Sequence, residues 1–188
     1  MNGQAKMPVD QMLADSLKEL ALIRPMEKIT IKEITDKAGV IRPTFYNHFQ
    51  DKYELIEWII VNELLVPMHP LIQADMITEA MVLLFTNIEK EKAFYTRAVK
   101  LEGPVTFHSI AMKCVKQELL GIIDGRITGK EQKHVWLSSE VIATYFAQSM
   151  CYVAEEWINQ GMTVPPREMA EAYNYIVSHS FDDVISEM

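Results

Sequence analysis

The residues from Thr30 to Phe49 leave this chain little conformational choice. Thr30-Ile31-Lys32-Glu33 has the form of a capping box, in which the threonine hydroxyl accepts a backbone N–H of the first turn and the glutamate carboxylate accepts the N–H of Thr30. A helix therefore starts near Ile31. Its apolar positions are Ile31, Ile34 and Ala38, and Gly39 follows where a left-handed residue ends a helix and turns the chain. Pro43 suits the first turn of a further helix and biases Arg42 away from helical geometry, so that helix is expected from about Pro43 to Phe49. Two short helices joined by a few residues result.

The rotation of the second of these helices follows from its aromatics. Phe45 and Phe49 are one turn apart and must face inward onto Ile34, Ala38 and Val40. At about 100° per residue, Asn47 then points the opposite way, with Pro43 and Thr44 on the same outer face and Tyr46 and His48 at its edges. A purely structural reading makes all four aromatic residues, Phe45, Tyr46, His48 and Phe49, a core cluster; rotation allows that for the two phenylalanines only. A short helix set at an angle on a capped partner offers a polar face that fits the DNA major groove, roughly 12 Å wide, where asparagine reads adenine and threonine methyls touch thymine.

A net charge of −8 at first opposes nucleic-acid binding, which rests on lysine and arginine. The distribution removes the objection. Residues 1–52 hold eight Lys or Arg against seven Asp or Glu, whereas the remainder holds ten against nineteen, so the acidity belongs to the C-terminal part.

The rest of the chain reads as helix. Leu13, Leu17, Leu20 and Ala21 set an amphipathic first helix over Val9–Ile23, with Pro8 leading in and Pro25 ending it. Helical periodicity continues over Tyr53 to Val66, Asp75 to Glu89, Glu91 to Lys100, Thr106 to Ile123, Lys130 to Gln160 and Pro166 to Glu187. Breaks are expected at Pro67–Pro70, Gly103–Pro104, Gly121–Gly129 and Gly161–Pro166. The fold is expected to be all-α. No apolar run approaches the roughly 18 residues of a membrane span and Met1 to Lys6 is polar, which predicts a cytoplasmic protein. Cys114 and Cys151 stand apart within apolar helical patterns and are expected as buried free thiols.

The run from Thr30 to Leu55 resembles the signature of the TetR family, in which Ala38-Gly39-Val40 leads to Thr44-Phe45-Tyr46-Asn47-His48-Phe49 and then Lys52-Tyr53-Glu54-Leu55. The first helix and the segment Trp157 to Ala170 resemble the family more loosely. Phe94-Tyr95-Thr96-Arg97-Ala98-Val99, with Gly103 and Phe107, resembles the branch associated with dihydroxyacetone kinase operons. The resemblance implies an N-terminal three-helix DNA-binding domain (residues 1–52) and a larger helical effector-binding and dimerisation domain (residues 53–188). It implies that Arg42, Pro43, Thr44 and Asn47 face base edges, that Tyr46 and His48 contact backbone and flanking bases, that Lys52 takes a phosphate, and that Thr30 and Lys32 reach DNA from the second helix. Two positions depart from the pattern: Thr35 replaces a small alanine, and Ile41 replaces a serine that caps the recognition helix.

A regulator of this kind needs an input. Phe85, Phe94, Tyr95, Phe107, Trp136, Tyr145, Phe146 and Met150 supply the apolar surface and few polar handles that a small-molecule pocket requires, although each is equally suited to a core. Ile142, Phe146, Ser149, Val153 and Trp157 form a stripe on one long helix, and the final helix adds Met169, Tyr173 and Ile176, which together predict a four-helix dimer interface on a two-fold axis. The expected partners are a pseudo-palindromic duplex, a second copy of the chain, and a small-molecule effector or protein co-regulator. The competing readings are weaker. A di-iron bundle needs two Glu-x-x-His motifs and two further glutamates, and only Glu131-Gln132-Lys133-His134 has that spacing. No phosphate loop or catalytic motif is present and His69, His108 and His179 are isolated, so neither catalysis, metal nor cofactor is expected. A helical adaptor that binds protein and not DNA is the remaining alternative.

Overall fold

The computed structural model describes residues 8–127 and 134–186, and all regular structure among them is helical. Helix α1 (Val9–Ile23) buries Leu13, Ala14, Leu17 and Ala21, and Pro25 leads into a 3-10 turn, Met26–Lys28, that sinks Met26. Helix α2 (Ile31–Ala38) opens in the expected capping box, with the Glu33 N–H donating to Thr30 Oγ1 at 3.3 Å and the Thr30 N–H to Glu33 Oε2 at 2.9 Å. Gly39, at φ 69°, turns the chain out of it. Helix α3 (Arg42–His48) starts one residue before the expected Pro43 and Phe49 leaves it in extended geometry.

Helix α4 (Lys52–Ile59) is capped by the Asp51 carboxylate, which accepts the N–H groups of Tyr53 and Glu54 at 2.8 and 2.9 Å. It does not stop where the prolines predict. A π-helical segment, Ile60–Leu65, and a 3-10 turn, Val66–Met68, carry it into α5 (His69–Gln73). Pro67 and Pro70 fall in the first turns of the last two segments, where a missing N–H costs nothing because that donor has no helical partner. The stretch Lys52–Gln73 contains an 18-residue window with a mean hydropathy of 1.4 and is long and apolar enough to cross a membrane by length and composition. Its setting is that of a central helix: Leu55, Ile56, Ile59, Ile60, Leu64 and Leu65 are buried, while Glu57 and Glu63 pair with Lys113 and Lys18.

The remaining helices are α6 (Ile77–Lys90), α7 (Lys92–Ala98), α8 (Phe107–Ile127), α9 (Ser139–Asn159), α10 (Pro166–Ser178) and α11 (Phe181–Ser186). Helix α8 runs through Gly121 and Gly125, contrary to the expected break, since each glycine weakens a helix by only about 1 kcal/mol and α8 has α9 along its length to offset that. The expected helix from Lys130 begins at Ser139 instead, capped by Ser138 Oγ; residues 130–133, and with them most of the Glu131 to His134 motif, lie outside the described residues. The final helix is two, divided at His179–Ser180, and Glu187 lies outside the described residues.

Helix α10 packs on α6, α4 on α8, and α1 on α2, α4 and α7. One continuous apolar core results, running from Leu13 through α4 to Tyr173. Both cysteines are free and buried, and burial pushes the Cys114 thiol up to about 11 and the Cys151 thiol up to about 12.

Candidate nucleic-acid interface

Two buried rings fix the outward face of α3. Phe45 is 0% and Phe49 4% exposed, their centroids 5.8 Å apart, and Phe49 also meets Trp58 of α4 edge-on at 6.5 Å. Burying side chains of this size stabilises by about 1.5–3 kcal/mol each, enough to hold a seven-residue helix that could not persist alone. Arg42, Pro43, Tyr46, Asn47 and His48 are consequently exposed, and Thr44 is half-buried.

The exposed residues are not equally free. Arg42 lays its guanidinium over the Tyr46 ring, 5.4 Å from the centroid, and donates to Tyr46 Oη at 2.8 Å, so the pair forms one prepositioned unit at the start of α3. His48 Nδ1 lies 2.6 Å from the Asp10 carboxylate and ties the end of α3 to α1. Asn47 has no such tether among the described residues, leaving both amide donors and its carbonyl for a base edge. On α2, Lys32 is exposed and its ammonium donates to Asp36 at 2.8 Å, whereas the Thr30 hydroxyl is engaged in the capping box.

Lys52 is used differently from the expected phosphate contact. Its Nζ donates to the carbonyls of Met26, Glu27 and Ile29 at 3.0, 2.7 and 3.0 Å. An ammonium has three protons, and all three are spent on anchoring the turn before α2 to the start of α4. Burial lowers its pKa, against the nearby charges of Glu27 and Asp51. The two departures from the family pattern are also explained. Thr35 is 2% exposed with its hydroxyl bonded to the Lys32 carbonyl at 3.0 Å, and Ile41, 70% exposed, gives α3 no side-chain cap.

Residues 15–59 match the family described as bacterial regulatory proteins, tetR family, and residues 75–179 match a transcriptional regulator C-terminal region. This chain belongs to the TetR family. It is therefore a DNA-binding transcriptional regulator, with its helix-turn-helix in α2 and α3. A relative from Lactococcus lactis subsp. lactis (strain IL1403), the HTH-type dhaKLM operon transcriptional activator DhaS, is 22% identical over 95% of this chain and 91% of its own length. Among solved structures, the dihydroxyacetone kinase operon activator DhaS superposes with a TM-score of 0.58 at 19% identity, covering 91% of this chain and 94% of its own. A TetR regulator from Streptococcus agalactiae 2603V gives 0.57 at 16% identity over 91% and 94%. The fatty acid degradation regulator FadR from Bacillus halodurans gives 0.58 at 12% identity over 95% and 98%. At these identities the structures share the fold.

In the C-terminal part of this TetR-family chain the expected pocket residues separate into three groups. Tyr95, Phe107 and Met150 line a cavity of about 50 Å³ walled by the π-helical extension of α4 and by α6, α7, α8 and α9. Phe85 and Phe94 are core instead, Phe85 edge-on to Trp157 at 5.2 Å and Phe94 to Tyr95 at 5.1 Å. Trp136, 75% exposed, and Tyr145, 68% exposed, stand on the surface, and the half-buried Phe146 packs edge-on to Tyr145 at 5.4 Å. The dimer stripe shifts too. Ile142, Phe146, Ser149, Val153 and Met169 are half-buried, but Trp157 faces inward, its indole N–H bonded to the Val164 carbonyl at 2.9 Å. Tyr173 is buried, while Ile176 is exposed. The apolar surface beside them is set by Tyr145 and Tyr152 of α9, with Ile176, Val177 and Phe181.

One cluster lay outside the sequence reading. Lys18 of α1 donates to both oxygens of Glu63 at 2.9 and 3.1 Å, Gln11 reaches the same carboxylate at 3.2 Å, and Glu91 lies 3.5 Å from Lys18. Burial acts to lower the Lys18 pKa, but the hydrogen bond and charge of Glu63, with Glu91 and Asp15, raise it overall. Lys18 and Glu63 are 45 residues apart on separate helices, so no local pattern could have paired them.

Proposed function

We propose that this regulator binds a pseudo-palindromic operator as a homodimer, and that a small molecule in the C-terminal cavity controls its occupancy. The observation that carries the DNA reading is the outward, untethered Asn47 beside the preset Arg42–Tyr46 pair, on a helix whose rotation is locked by Phe45 and Phe49. In this reading Arg42, Pro43, Thr44 and Asn47 meet base edges, Tyr46 and His48 the backbone and flanking bases, and Lys32 a phosphate, while Lys52 and Thr30 hold the frame. The division of labour falls near Lys52, with DNA binding before it and effector binding and dimerisation after it, in the cytoplasm where the DNA is. Dimerisation is supported by the exposed Tyr145 and Tyr152 of α9, Ile176 of α10 and Phe181 of α11. A two-fold dimer sets its half-sites about 34–36 Å apart, or a multiple of that.

Control is supported by position. The cavity wall includes Leu64 of the π-helical segment, next to Glu63, which holds α1 through Lys18. An effector that prefers one arrangement of this junction by about 1–3 kcal/mol changes operator affinity about 5- to 150-fold, and DNA changes effector affinity equally. Selection of bound sequences from random DNA tests the reading. A palindromic consensus retained by a dimer in light scattering is expected; recovery of no sequence preference by folded protein would refute it and favour a protein-binding adaptor.

A further inference from the structure

We propose that the C-terminal cavity takes a small uncharged molecule with an apolar body and one hydrogen-bond acceptor, which the Tyr95 hydroxyl reads. The inference rests on the reading of that cavity as the effector pocket. Tyr95 is 1% exposed, it lines both the cavity and the polar cleft around Lys18, and its buried hydroxyl has no hydrogen-bond partner among the described residues. A buried hydroxyl left unmet is costly to the empty protein, so a ligand that meets it recovers free energy that a hydrocarbon does not.

Water is a poor substitute. A buried water needs two to four polar partners. Leu64, Leu84, Phe107, Val115 and Met150 offer none, and Glu155 at the rim is held by His108 Nδ1, 3.0 Å from each of its oxygens. An acceptor that arrives on its own apolar body suits this wall, whereas a polyhydroxylated molecule would exchange one unmet hydroxyl for several.

Charge selects among acceptors. The phenol is kept protonated first by burial and then by the neighbouring Glu63 and Glu91, so it is a donor at neutral pH. The same carboxylates, with Glu155, repel an anionic head, and Lys18 is already bonded to both oxygens of Glu63. A neutral carbonyl or ether is the head group that remains. The cavity, about 50 Å³, limits the body to a few carbons unless the flexible Met150 yields.

The test uses the full-length protein and three probes of similar size: 2-pentanone, n-pentane and butanoate. Binding is followed by the methyl resonance of Met150, in wild type and in Tyr95→Phe. The ketone is expected to bind wild type about tenfold tighter than either other probe, a preference worth one good hydrogen bond, and Tyr95→Phe to lose that preference while binding pentane within about twofold of wild type. Equal binding of pentane and ketone to wild type would overturn the proposal even if the variant proved unstable. So would a preference that survives Tyr95→Phe, butanoate binding as tightly as the ketone, or no response to the ketone at about 20 mM, with pentane supplied at its aqueous saturation. A Tyr95-dependent ketone that leaves operator affinity unchanged would support the recognition and refute the effector role of the cavity.

Discussion

In the N-terminal unit the caps, the turn and the rotation of the DNA-reading helix are fixed mainly by residues a turn or two away, whereas in the C-terminal part the functional features are fixed by residues many turns apart. Thr30 and Glu33 cap α2, Gly39 turns the chain, and Phe45 and Phe49 orient α3. By contrast, the cavity draws its wall from five helices, and its polar surroundings depend on the pairing of Lys18 with Glu63 and of His108 with Glu155. The difference teaches where to expect autonomy. A locally specified reading head can keep its shape while the domain behind it changes, and the element that joins them, α4 with its π-helical extension, belongs to both.

The largest effect is expected where local specification meets the core. Phe45→Ala removes a fully buried ring and should cost about 3–5 kcal/mol, seen as a lower urea midpoint together with loss of operator binding. A cost below about 1 kcal/mol would mean that α3 is not held by this ring.

The junction comes next. Lys18→Met leaves Glu63, whose side chain is 19% exposed, without its cation and should cost about 2 kcal/mol, less than a fully buried pair because water reaches both groups. The pH dependence has a definite sign. The folded-state pKa of Lys18 is raised, so its contribution is fully present below 10.5 and is lost as pH rises through the higher folded value. Urea midpoints of wild type and variant should therefore converge above pH 10.5 and stay apart at pH 7. A difference that grows with alkalinity would exclude the ion pair as the cause.

These regions also differ in how much of them the sequence reveals. The capping box, the left-handed Gly39 and the inward phenylalanines are short-range facts, and α1, α2 and α3 fall within a residue of where the pattern sets them. Lys52 illustrates the limit: its place after the motif suggests a phosphate, but the three carbonyls it binds lie 23 to 26 residues earlier and are brought to it only by folding. In the C-terminal part a helical stripe identifies an apolar face without saying which neighbour covers it. Trp157 shares a stripe with Ile142 and Phe146, yet the turn at Gly161 returns the chain so that Val164 accepts its indole N–H and Phe85 covers its ring. Prolines mislead for a related reason, since Pro67 and Pro70 sit in first turns that carry the chain onward.

A smaller effect is expected at the cap. Thr30→Ala should cost about 1 kcal/mol and lower operator affinity only in proportion to the fraction of α2 that frays. Full retention of stability by this variant would show that Glu33, also paired with Arg24, secures the helix start unaided.

The smallest change in stability and the clearest change in function should coincide at Asn47. Its side chain is exposed and untethered, so Asn47→Ala should leave the urea midpoint within error of wild type. Operator affinity at matched salt should fall by about 1–3 kcal/mol, with discrimination relaxed at one base pair of each half-site and the salt dependence unchanged. The direct measurement is a gel-shift titration of wild type and Asn47→Ala on the selected operator and on variants of it at each position. Position-specific loss of discrimination in a fully folded dimer is the result this account predicts; equal affinity and unchanged sequence preference for the two proteins would contradict it.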